Sequence, residues 1–497
     1  MKTIVRVFAL AIIACMLFLA AACSSQTASD TSAVNSAESV SHATDNSGYV
    51  SEQDTESNEP VSEQPYEPVV RDLDSREIVF LVPGSSYSYY ESFEIYAEER
   101  NDEAINDAVF ERNEKVESRL NCRIMAEKSD NVTADMVKYV NTGIYYDVYM
   151  PMINDAAAIV GDGLMYDLKQ FEDLNLDKPW WDQNANEGLQ IKDKLYFSTG
   201  DISILDNDCT MVVFFNKKLT SDYGIDPYQL VNDHAWTMDS IYELSRVFTE
   251  NLGDDVWDNN DHYGLHVAFN APHSFYFGCG GTITETDADG NIRINMSSES
   301  NINILSKVFD ISYKSDVVTN KTPNCSTFED ICRMFLNDQI MFTTFALTDL
   351  KNFRSVYGFE YGILPYPLLN ESQEEYHCLI STVLVPVVTI PTDCDKPEDV
   401  ALVLENMAFY SQDTLTRAYY DITLKGRDLA DEESEKMLDL IFSSRVYDLG
   451  YIYNFGGLGM LIQNMNDTNS SDFIGRYDAI IGKAQNDLED LLASFDD

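Results

Sequence analysis

Residues 77–82 of the chain read Glu-Ile-Val-Phe-Leu-Val and are followed by Pro83-Gly84. An apolar run of this length that ends at Pro and Gly is typical of a strand buried inside a sheet. The segments after it alternate between helical and strand-like spacing, with a helix predicted at 103–120, a strand at 122–126, a helix at 133–141 and a strand at 145–150. This alternation predicts an α/β fold in which helices cover a parallel sheet.

The rest of the chain continues in the same mixed pattern. Further strands are predicted at 210–215, 339–345, 361–364 and 382–390, and further helices at 238–249, 298–313, 328–337 and 396–411. Thr237 is the expected N-cap of the helix at 238–249. Residues 284–295 predict a hairpin that turns at Asp289-Gly290, and not a calcium loop, because the later bidentate Glu of such loops is missing.

Two loops of the predicted parallel sheet are candidate ligand-binding segments. Ligands of such sheets gather at the carboxyl ends of the strands. The loops after the first and third strands bring the following residues to that edge: Ser85, Ser86, Tyr87, Pro151, Asn154 and Asp155.

The N-terminus has the order of a secretory signal. Lys2 and Arg6 precede an uncharged apolar run at 7–19, and Ala20-Ala21-Ala22 leads into Cys23. The run is short for a membrane-spanning helix, which needs roughly 20 residues. The cysteine after small residues resembles the lipobox of bacterial lipoproteins, although Ala20 replaces the usual Leu. The resemblance implies cleavage after residue 22 and a diacylglycerol (palmitate-type) lipid on Cys23; an ordinary secretory signal with an incidental cysteine is the alternative.

Residues 23–75 are predicted to be a lipidated cysteine followed by a disordered, acidic stalk. The segment is rich in Ser, Thr, Asn, Glu and Pro and has few large apolar residues. Such a segment buries too little apolar surface to offset the entropy of ordering it. Two acyl chains on one cysteine are enough for stable anchoring.

Charge and cysteine content exclude several functions. The formal net charge is −51, with 84 acidic and 33 basic residues. Binding to nucleic acid or to anionic lipid is therefore not expected, because both require Lys and Arg. The cysteines beyond Cys23 are irregularly spaced and form no zinc or disulfide pattern, although Cys325 and Cys332 can form a pair. We expect neither a metal site nor a cofactor.

Several short motifs occur in an order that resembles one protein family. They are Glu111-Arg112-Asn113, Gly163-Leu164-Met165-Tyr166-Asp167-Leu168, Phe214-Phe215-Asn216-Lys217-Lys218-Leu219, Trp236-Thr237-Met238-Asp239 and Gly362-Ile363-Leu364-Pro365-Tyr366-Pro367. Their order resembles the extracellular solute-binding proteins of bacterial ABC importers, of the maltose- and oligosaccharide-binding type, in their Gram-positive lipoprotein form.

The resemblance implies a fold and a domain organisation. The family has a two-lobe, periplasmic-binding-protein-like α/β fold, with a hinge and a ligand cleft between the lobes. Carried onto this chain, lobe 1 is expected to comprise residues 76–215 and 340–385. Lobe 2 is expected to comprise residues 216–339 and 386–497.

The resemblance also adds candidate ligand contacts beyond the two loops. Asp206 and Asp208 precede the strand that crosses between lobes, where related proteins place a carboxylate. Stacking aromatic residues are expected from Phe275, Tyr276, Phe345 and Tyr453. Each aromatic residue can instead be part of the core, and each carboxylate can be a solvated surface group.

The function that the resemblance implies is capture of a carbohydrate, most simply an oligosaccharide, and its delivery to an ABC permease. Such a protein is not an enzyme; it acts as a monomer on the extracellular side of the cell membrane and is held there by its lipid. One alternative is a sensory or adhesive lipoprotein with the same fold. Another is a surface glycoside hydrolase, which needs two carboxylates at a set separation and which only the abundance of acids favours.

Overall fold

The strands within the described residues form two main sheets and two small ones. A computed structural model describes residues 66–253, 256–268, 271–312, 327–353, 358–425 and 432–495. The signal segment, Cys23, the stalk up to residue 65 and Cys325 lie outside these residues. The strands are β1 (Arg76–Pro83), β2 (Cys122–Ser129), β3 (Val148–Tyr149), β4 (Met211–Asn216), β5 (Tyr263–His266), β6 (Thr284–Thr286), β7 (Ile292–Ile294), β8 (Ile340–Ala346), β9 (Tyr361–Leu364), β10 (Cys378–Leu379) and β11 (Arg445–Val446).

Helices of very different length surround these sheets. In chain order they are α1 (Ala104–Leu120), α2 (Val132–Val140), α3 (Ile153–Ile159), α4 (Gln183–Gly188), α5 (Leu205–Asp208), α6 (Lys217–Asp222), α7 (Pro227–Asn232), α8 (Met238–Phe248), α9 (Ala271–Gly278), α10 (Glu299–Ser312), α11 (Phe328–Leu336), α12 (Leu350–Phe353), α13 (Pro397–Ser411), α14 (Arg417–Lys425), α15 (Glu432–Ser443), α16 (Leu449–Ile452), α17 (Leu461–Asp467) and α18 (Phe473–Ala493). No helix in the described ranges combines the length and the apolar character that a bilayer crossing requires.

The first sheet has the strand order β2-β1-β3, and all its pairs are parallel. The predicted parallel sheet is thus confirmed. Only Phe80 and Leu81 of β1 pair with β3, so that strand is shorter than the predicted 145–150. Val116 and Leu120 of α1 pack on Ile78, and α13 packs against α1 and enters the same core.

The second sheet has the order β5-β8-β4-β9. β4 runs antiparallel to β8 and β9, while β5 runs parallel to β8. Every residue of β4 and β8 is buried. This explains why both strands read as continuous apolar or Thr-containing runs and not as alternating ones.

Most of the predicted elements are present close to their expected bounds. The hairpin β6–β7 is confirmed, and Asp287 of its turn accepts hydrogen bonds from the backbone of Asp289 and Asn291, as in an Asx turn. Thr237 caps α8 by accepting a hydrogen bond from Ser240 N at 3.2 Å.

The strand predicted at 382–390 is only partly present. Residues 382–384 form a turn, whereas residues 385–389 are extended. The extended part pairs antiparallel with residues 149–153, where Thr389 and Tyr149 exchange backbone hydrogen bonds. On its other edge Val388 bridges Ser198, so the segment is buried between two other segments.

Strand pairing relates two segments to both expected lobes. Residues 340–346, expected in lobe 1, lie as β8 between β4, expected mainly in lobe 1, and β5, expected in lobe 2. Residues 400–408, expected in lobe 2, pack in the core of the first sheet. The lobe boundaries themselves stay a prediction.

Candidate functional site

The loop after β1 is fixed against the start of α2. The short helical turn Ser85–Tyr90 follows the strand directly. Ser86 Oγ donates to the carbonyl oxygen of Asp130 at 3.0 Å, and Tyr87 OH accepts from Val132 N at 3.4 Å. Ser85 and Ser86 are exposed, whereas Tyr87 is half-buried. The side chains predicted from this loop therefore do lie at the carboxyl edge of the first sheet.

The segment after β3 meets the same edge. Pro151 is buried, and Asn154 and Asp155 begin α3. Burial raises the pKa of Asp155. Burial, and to a smaller extent carboxylates that include Asp155, raise the pKa of Tyr87. The two loops lie at the same edge because β1 and β3 are parallel neighbours.

Asn154 leaves one hydrogen-bonding group unused. Its backbone N–H donates to the carbonyl oxygen of Thr382 at 3.2 Å. Its side-chain Oδ1 is buried and has no hydrogen-bond partner among the described residues. Because an unsatisfied buried acceptor costs roughly 1–3 kcal/mol, a ligand that donates to it would gain that amount.

Two extended segments connect the two sheets beside this edge. Thr210 bridges Ile380, and Ser381 N donates to the carbonyl oxygen of Cys209 at 3.1 Å. The segment at 386–389 continues to Tyr149 at the end of β3. Both segments have the position of a hinge between the sheets.

Asp206, which precedes the first crossing, is part of a buried ion network. Arg445 Nη1 lies 3.0 Å from Asp206 and 2.9 Å from Asp182, and both carboxylates are nearly inaccessible to solvent. Burial raises the pKa of Asp206 to about 6, although Arg445 opposes this shift. In this structure Asp206 therefore binds Arg445 next to the hinge segments and is not free to hydrogen-bond a ligand.

Asp208, the last residue of α5, has a separate set of contacts. Lys351 Nζ is 2.7 Å from its carboxylate, and Tyr419 OH donates to it at 2.9 Å. Burial raises the pKa of Tyr90, and Cys209, Asp349 and Asp208 add to this effect. Through Lys351, the segment after β8 meets Asp208 at a group of polar side chains.

The four predicted stacking residues are mainly core residues. Tyr276 is fully buried and donates its OH to the carbonyl oxygen of Thr282 at 2.8 Å. A Cβ on Gly281 would lie 2.6 Å from the Tyr276 ring. Phe275 is also fully buried, and its ring centroid lies 5.0 Å from that of Tyr366.

Phe345 and Tyr453 keep some accessible surface. Phe345 lies among other aromatic rings, and its ring centroid is 5.2 Å from that of Phe328. Tyr453 stacks on Phe455 with the ring planes 5° apart and the centroids 5.6 Å apart. α16, which precedes Tyr453, packs against α3. Tyr453 therefore directly follows a helix that contacts the helix carrying Asn154 and Asp155.

Comparison with known proteins gives a consistent result for the fold. No family profile matches the sequence, and neither does any curated protein. M. tuberculosis UspC has 12% sequence identity and a TM-score of 0.55, with 83% of this chain and 100% of that chain covered. The Listeria monocytogenes maltose-binding protein MalE, solved with maltose, has 15% sequence identity and a TM-score of 0.53. The match covers 84% of this chain and 99% of that chain. The chain has the two-lobe fold of ABC-transporter solute-binding proteins. A cyclo/maltodextrin-binding protein solved with maltotetraose also matches, with 12% sequence identity and a TM-score of 0.54. That match covers 84% of this chain and 97% of that chain.

In this solute-binding-protein fold, three side chains at the candidate site were missed from the sequence. Tyr90 lies in the same loop as Tyr87, and Asp349 and Lys351 follow β8 directly. The rule that polar residues after a strand gather at the sheet edge applies to both segments. The sequence does not predict the second sheet as a separate unit, so the rule indicates candidate residues only at the edge of the first sheet.

Two largely buried carboxyl groups predict that the protein is more stable at pH 5 than at pH 7.5. Burial raises the pKa of Asp201 to about 7 and that of Asp349 to about 6, from an ordinary value of 3.8. Between about pH 4 and about pH 7 the folded chain therefore holds protons that the unfolded chain has released, so stability falls as the pH rises. We expect a loss on the order of 1–3 kcal/mol, measured by urea denaturation at both pH values.

General repulsion among the acidic residues acts in the same direction, so a variant is needed to isolate the two groups. Asp201→Asn with Asp349→Asn should reduce the pH dependence, whereas Asp222→Asn, at an exposed position, should leave it unchanged. If the stability of the double variant kept the parent's full pH dependence, the assignment of that dependence to Asp201 and Asp349 would be contradicted.

Proposed function

We propose that the chain is an extracellular, lipid-anchored solute-binding protein that captures a carbohydrate and delivers it to an ABC importer. The observation that carries the proposal is the acceptor-rich edge of the first sheet. There the unpartnered Asn154 Oδ1 lies beside Asp155, next to the two crossing segments. The fold, and the secretory signal predicted at residues 1–22, support the same function.

A carbohydrate suits this edge better than an acid or a phosphate. Asn154 Oδ1 and the Asp155 carboxylate accept hydrogen bonds, and sugar hydroxyls donate them. Tyr87 and Tyr90 provide aromatic surface of the kind that packs against sugar rings. A negatively charged ligand would be repelled by Asp155 and by a net charge of −51.

The two crossing segments support a binding cycle with hinge closure. The first lobe is proposed to comprise residues 66–208 and 385–411, and the second residues 211–382 and 445–495, following the strand pairing. A ligand that binds the closed arrangement more tightly than the open one shifts the population toward closure. The closed form is then the one presented to the permease.

A thermal-shift screen tests the carbohydrate assignment. Mono- and oligosaccharides, a peptide mixture and a polyamine are added separately to the purified protein. A ligand of the native state raises Tm according to its concentration and affinity. At least one neutral sugar should raise Tm and be recovered chemically unchanged. A response to the peptide or the polyamine alone, or cleavage of the bound sugar, would overturn the assignment.

Replacing Asn154 with leucine should weaken sugar binding without loss of stability. The buried Oδ1 has no partner in the protein, so its removal leaves stability unchanged or slightly higher. Affinity for the sugar found in the screen should fall by about tenfold or more, measured by calorimetry.

Asn466→Leu is the matched control for this substitution. Asn466 Oδ1 is likewise buried without a partner among the described residues, but it lies on α17. Its replacement should leave affinity unchanged. Equal affinity losses in both variants would place the ligand elsewhere.

The anchor and the import role have separate tests. Mass spectrometry of the protein from a lipidating host should show a diacylglyceryl group on Cys23. An unlipidated N-terminus after cleavage would refute the anchor and leave the binding role intact. Two permease genes beside the coding sequence would favour import, and a sensor kinase would favour signalling.

A further inference from the structure

The connection between β1 and α1 is long and makes few hydrogen bonds within itself. Residues 84–103, all in the described part of the chain, form this connection, and their regular structure is limited to one short helical turn. Ser92 N donates to the carbonyl oxygen of Pro83 at 3.0 Å, which closes the first part of the connection into a loop. Connections of more than about 12–15 residues without secondary structure are uncommon unless they serve a function. The position of Tyr87 and Tyr90 in this loop therefore depends on contacts with other segments.

The end of the loop is bound by two neighbouring side chains of α1. Arg112 Nη2 and Asn113 Nδ2 both donate to the carbonyl oxygen of Ile95, each at 2.9 Å. A carbonyl oxygen has two lone pairs, so this one is fully used. Arg112 Nε also donates to Asn113 Oδ1 at 2.9 Å, so the two side chains fix each other's orientation. The loop after β1 is thus attached to α1 at Ile95 by a pair of coupled donors.

Arg112 also contacts two further segments. Its Nη1 lies 3.3 Å from the carbonyl oxygen of Ile202 and 3.4 Å from Ser411 Oγ. Ile202 belongs to the segment that leads into the first crossing, and Ser411 ends α13. A direct contact strengthens the first of these links, because Ser203 Oγ donates to Glu94 Oε1 at 3.4 Å. One guanidinium therefore joins the loop, the approach to the crossing and the end of a core helix.

Core packing alone does not explain a charged side chain at this position. Arg112 has no exposed surface, and burial lowers the pKa of its guanidinium to about 9, although Glu94 opposes this shift. The groups that accept its hydrogen bonds are neutral, namely two carbonyls, an amide and a hydroxyl. Burial of an ion costs several kcal/mol, which an apolar side chain of similar size avoids. What the guanidinium provides in return is a set of directed donors to three separate segments.

We infer that Arg112 is a positioning residue of the proposed sugar site. It holds the loop that carries Tyr87 and Tyr90 at the carboxyl edge of the first sheet, and it ties that loop to the segment that leads into the first crossing. Asn113 assists by donating to the same carbonyl oxygen. The inference rests on the function proposed for this edge.

Arg112→Lys tests the inference with two measurements. Lysine keeps a positive charge beside Glu94 but lacks the planar fork that donates in several directions at once. In the protein without ligand, amide hydrogen exchange of residues 84–95, followed by mass spectrometry, should become about tenfold faster. Affinity for the sugar found in the screen should fall by about tenfold, measured by calorimetry. Asn113→Ala removes one of the two donors to Ile95 and should produce smaller changes in the same direction.

Arg76→Lys is the matched control. Arg76 likewise joins separate segments of the chain, because its Nη2 donates to Asp147 at 2.6 Å and its Nη1 donates to the carbonyl oxygen of Lys396 at 3.1 Å. It is the first residue of β1 and so lies at the opposite end of the strand from the loop. The control substitution also replaces a guanidinium, but it should leave both the exchange of residues 84–95 and the sugar affinity unchanged.

The outcomes separate this inference from the proposed function. Equal acceleration of loop exchange in Arg112→Lys and Arg76→Lys, or sugar affinity that is unchanged in both Arg112→Lys and Asn113→Ala, would overturn the inference and leave the proposed function intact. A parent protein that binds no sugar would overturn the proposed function, and loop exchange would then decide whether Arg112 positions the loop. Should Arg112→Lys fail to fold, Asn113→Ala decides by the same measurements.

Discussion

Replacing Arg445 with alanine is expected to lower the free energy of unfolding by about 3–5 kcal/mol at neutral pH. The guanidinium is only 6% exposed and lies between Asp182 and Asp206. It also donates to Thr210 Oγ1 at 3.2 Å. Its removal leaves two buried carboxylates without a cation, and their desolvation is then no longer offset. Urea denaturation at pH 7.5 measures the loss.

The control for this prediction is Arg293→Ala. Arg293 forms an ion pair with Glu285, but its side chain is 67% exposed, so the expected change is about 1 kcal/mol or less. A triple variant with Arg445→Met, Asp182→Asn and Asp206→Asn should recover part of the stability, because no buried charge is left unpaired. Similar losses for Arg445→Ala and Arg293→Ala would show that the buried network contributes no special stability.

Replacing Tyr276 with alanine should destabilise the protein by about 3–5 kcal/mol. The side chain is fully buried, packs against Gly281 and donates to the carbonyl oxygen of Thr282. Tyr276→Phe removes only the hydroxyl and should cost about 1 kcal/mol. Sugar affinity of the folded fraction should not change in either variant. Chemical denaturation measures the stability of each variant, and calorimetry measures its sugar affinity.

Tyr145→Ala is the comparison, because that side chain is 69% exposed and its loss should hardly affect stability. The expectation from the sequence was the reverse for Tyr276, namely a ligand contact whose removal lowers affinity and leaves the fold intact. A stable Tyr276→Ala protein that no longer binds sugar would restore that interpretation.

The elements of the first sheet could be predicted because their signals are local. The apolar run at 77–82 and the helical spacing at 103–120 identify β1 and α1 without knowledge of their neighbours. Residues 382–390 have the same apolar composition, but their first three residues form a turn and the extended part pairs with residues 149–153. No property of those nine residues indicates where the extended part begins.

The candidate site was predictable to the extent that it follows from strand order. Ser86, Tyr87, Asn154 and Asp155 lie where the carboxyl ends of parallel strands place them. The role of Asp206 depends on Arg445, which is distant in sequence and is brought close only by the complete fold. Phe275 and Tyr276 form an aromatic pair whose composition suits a core as well as a sugar site, so their burial could not be foreseen.

The position of α13 in the first core has a consequence for the timing of folding during synthesis. A chain made from its N-terminus forms β1, β2 and β3 long before residues 397–411 are available to cover them. Until then the apolar surface of Ile78 and Phe80 lacks part of its final packing. The contact of Lys192 Nζ with the carbonyl oxygen of Leu492, at 2.7 Å, forms later still. The fold is therefore completed only when nearly the whole polypeptide has been made.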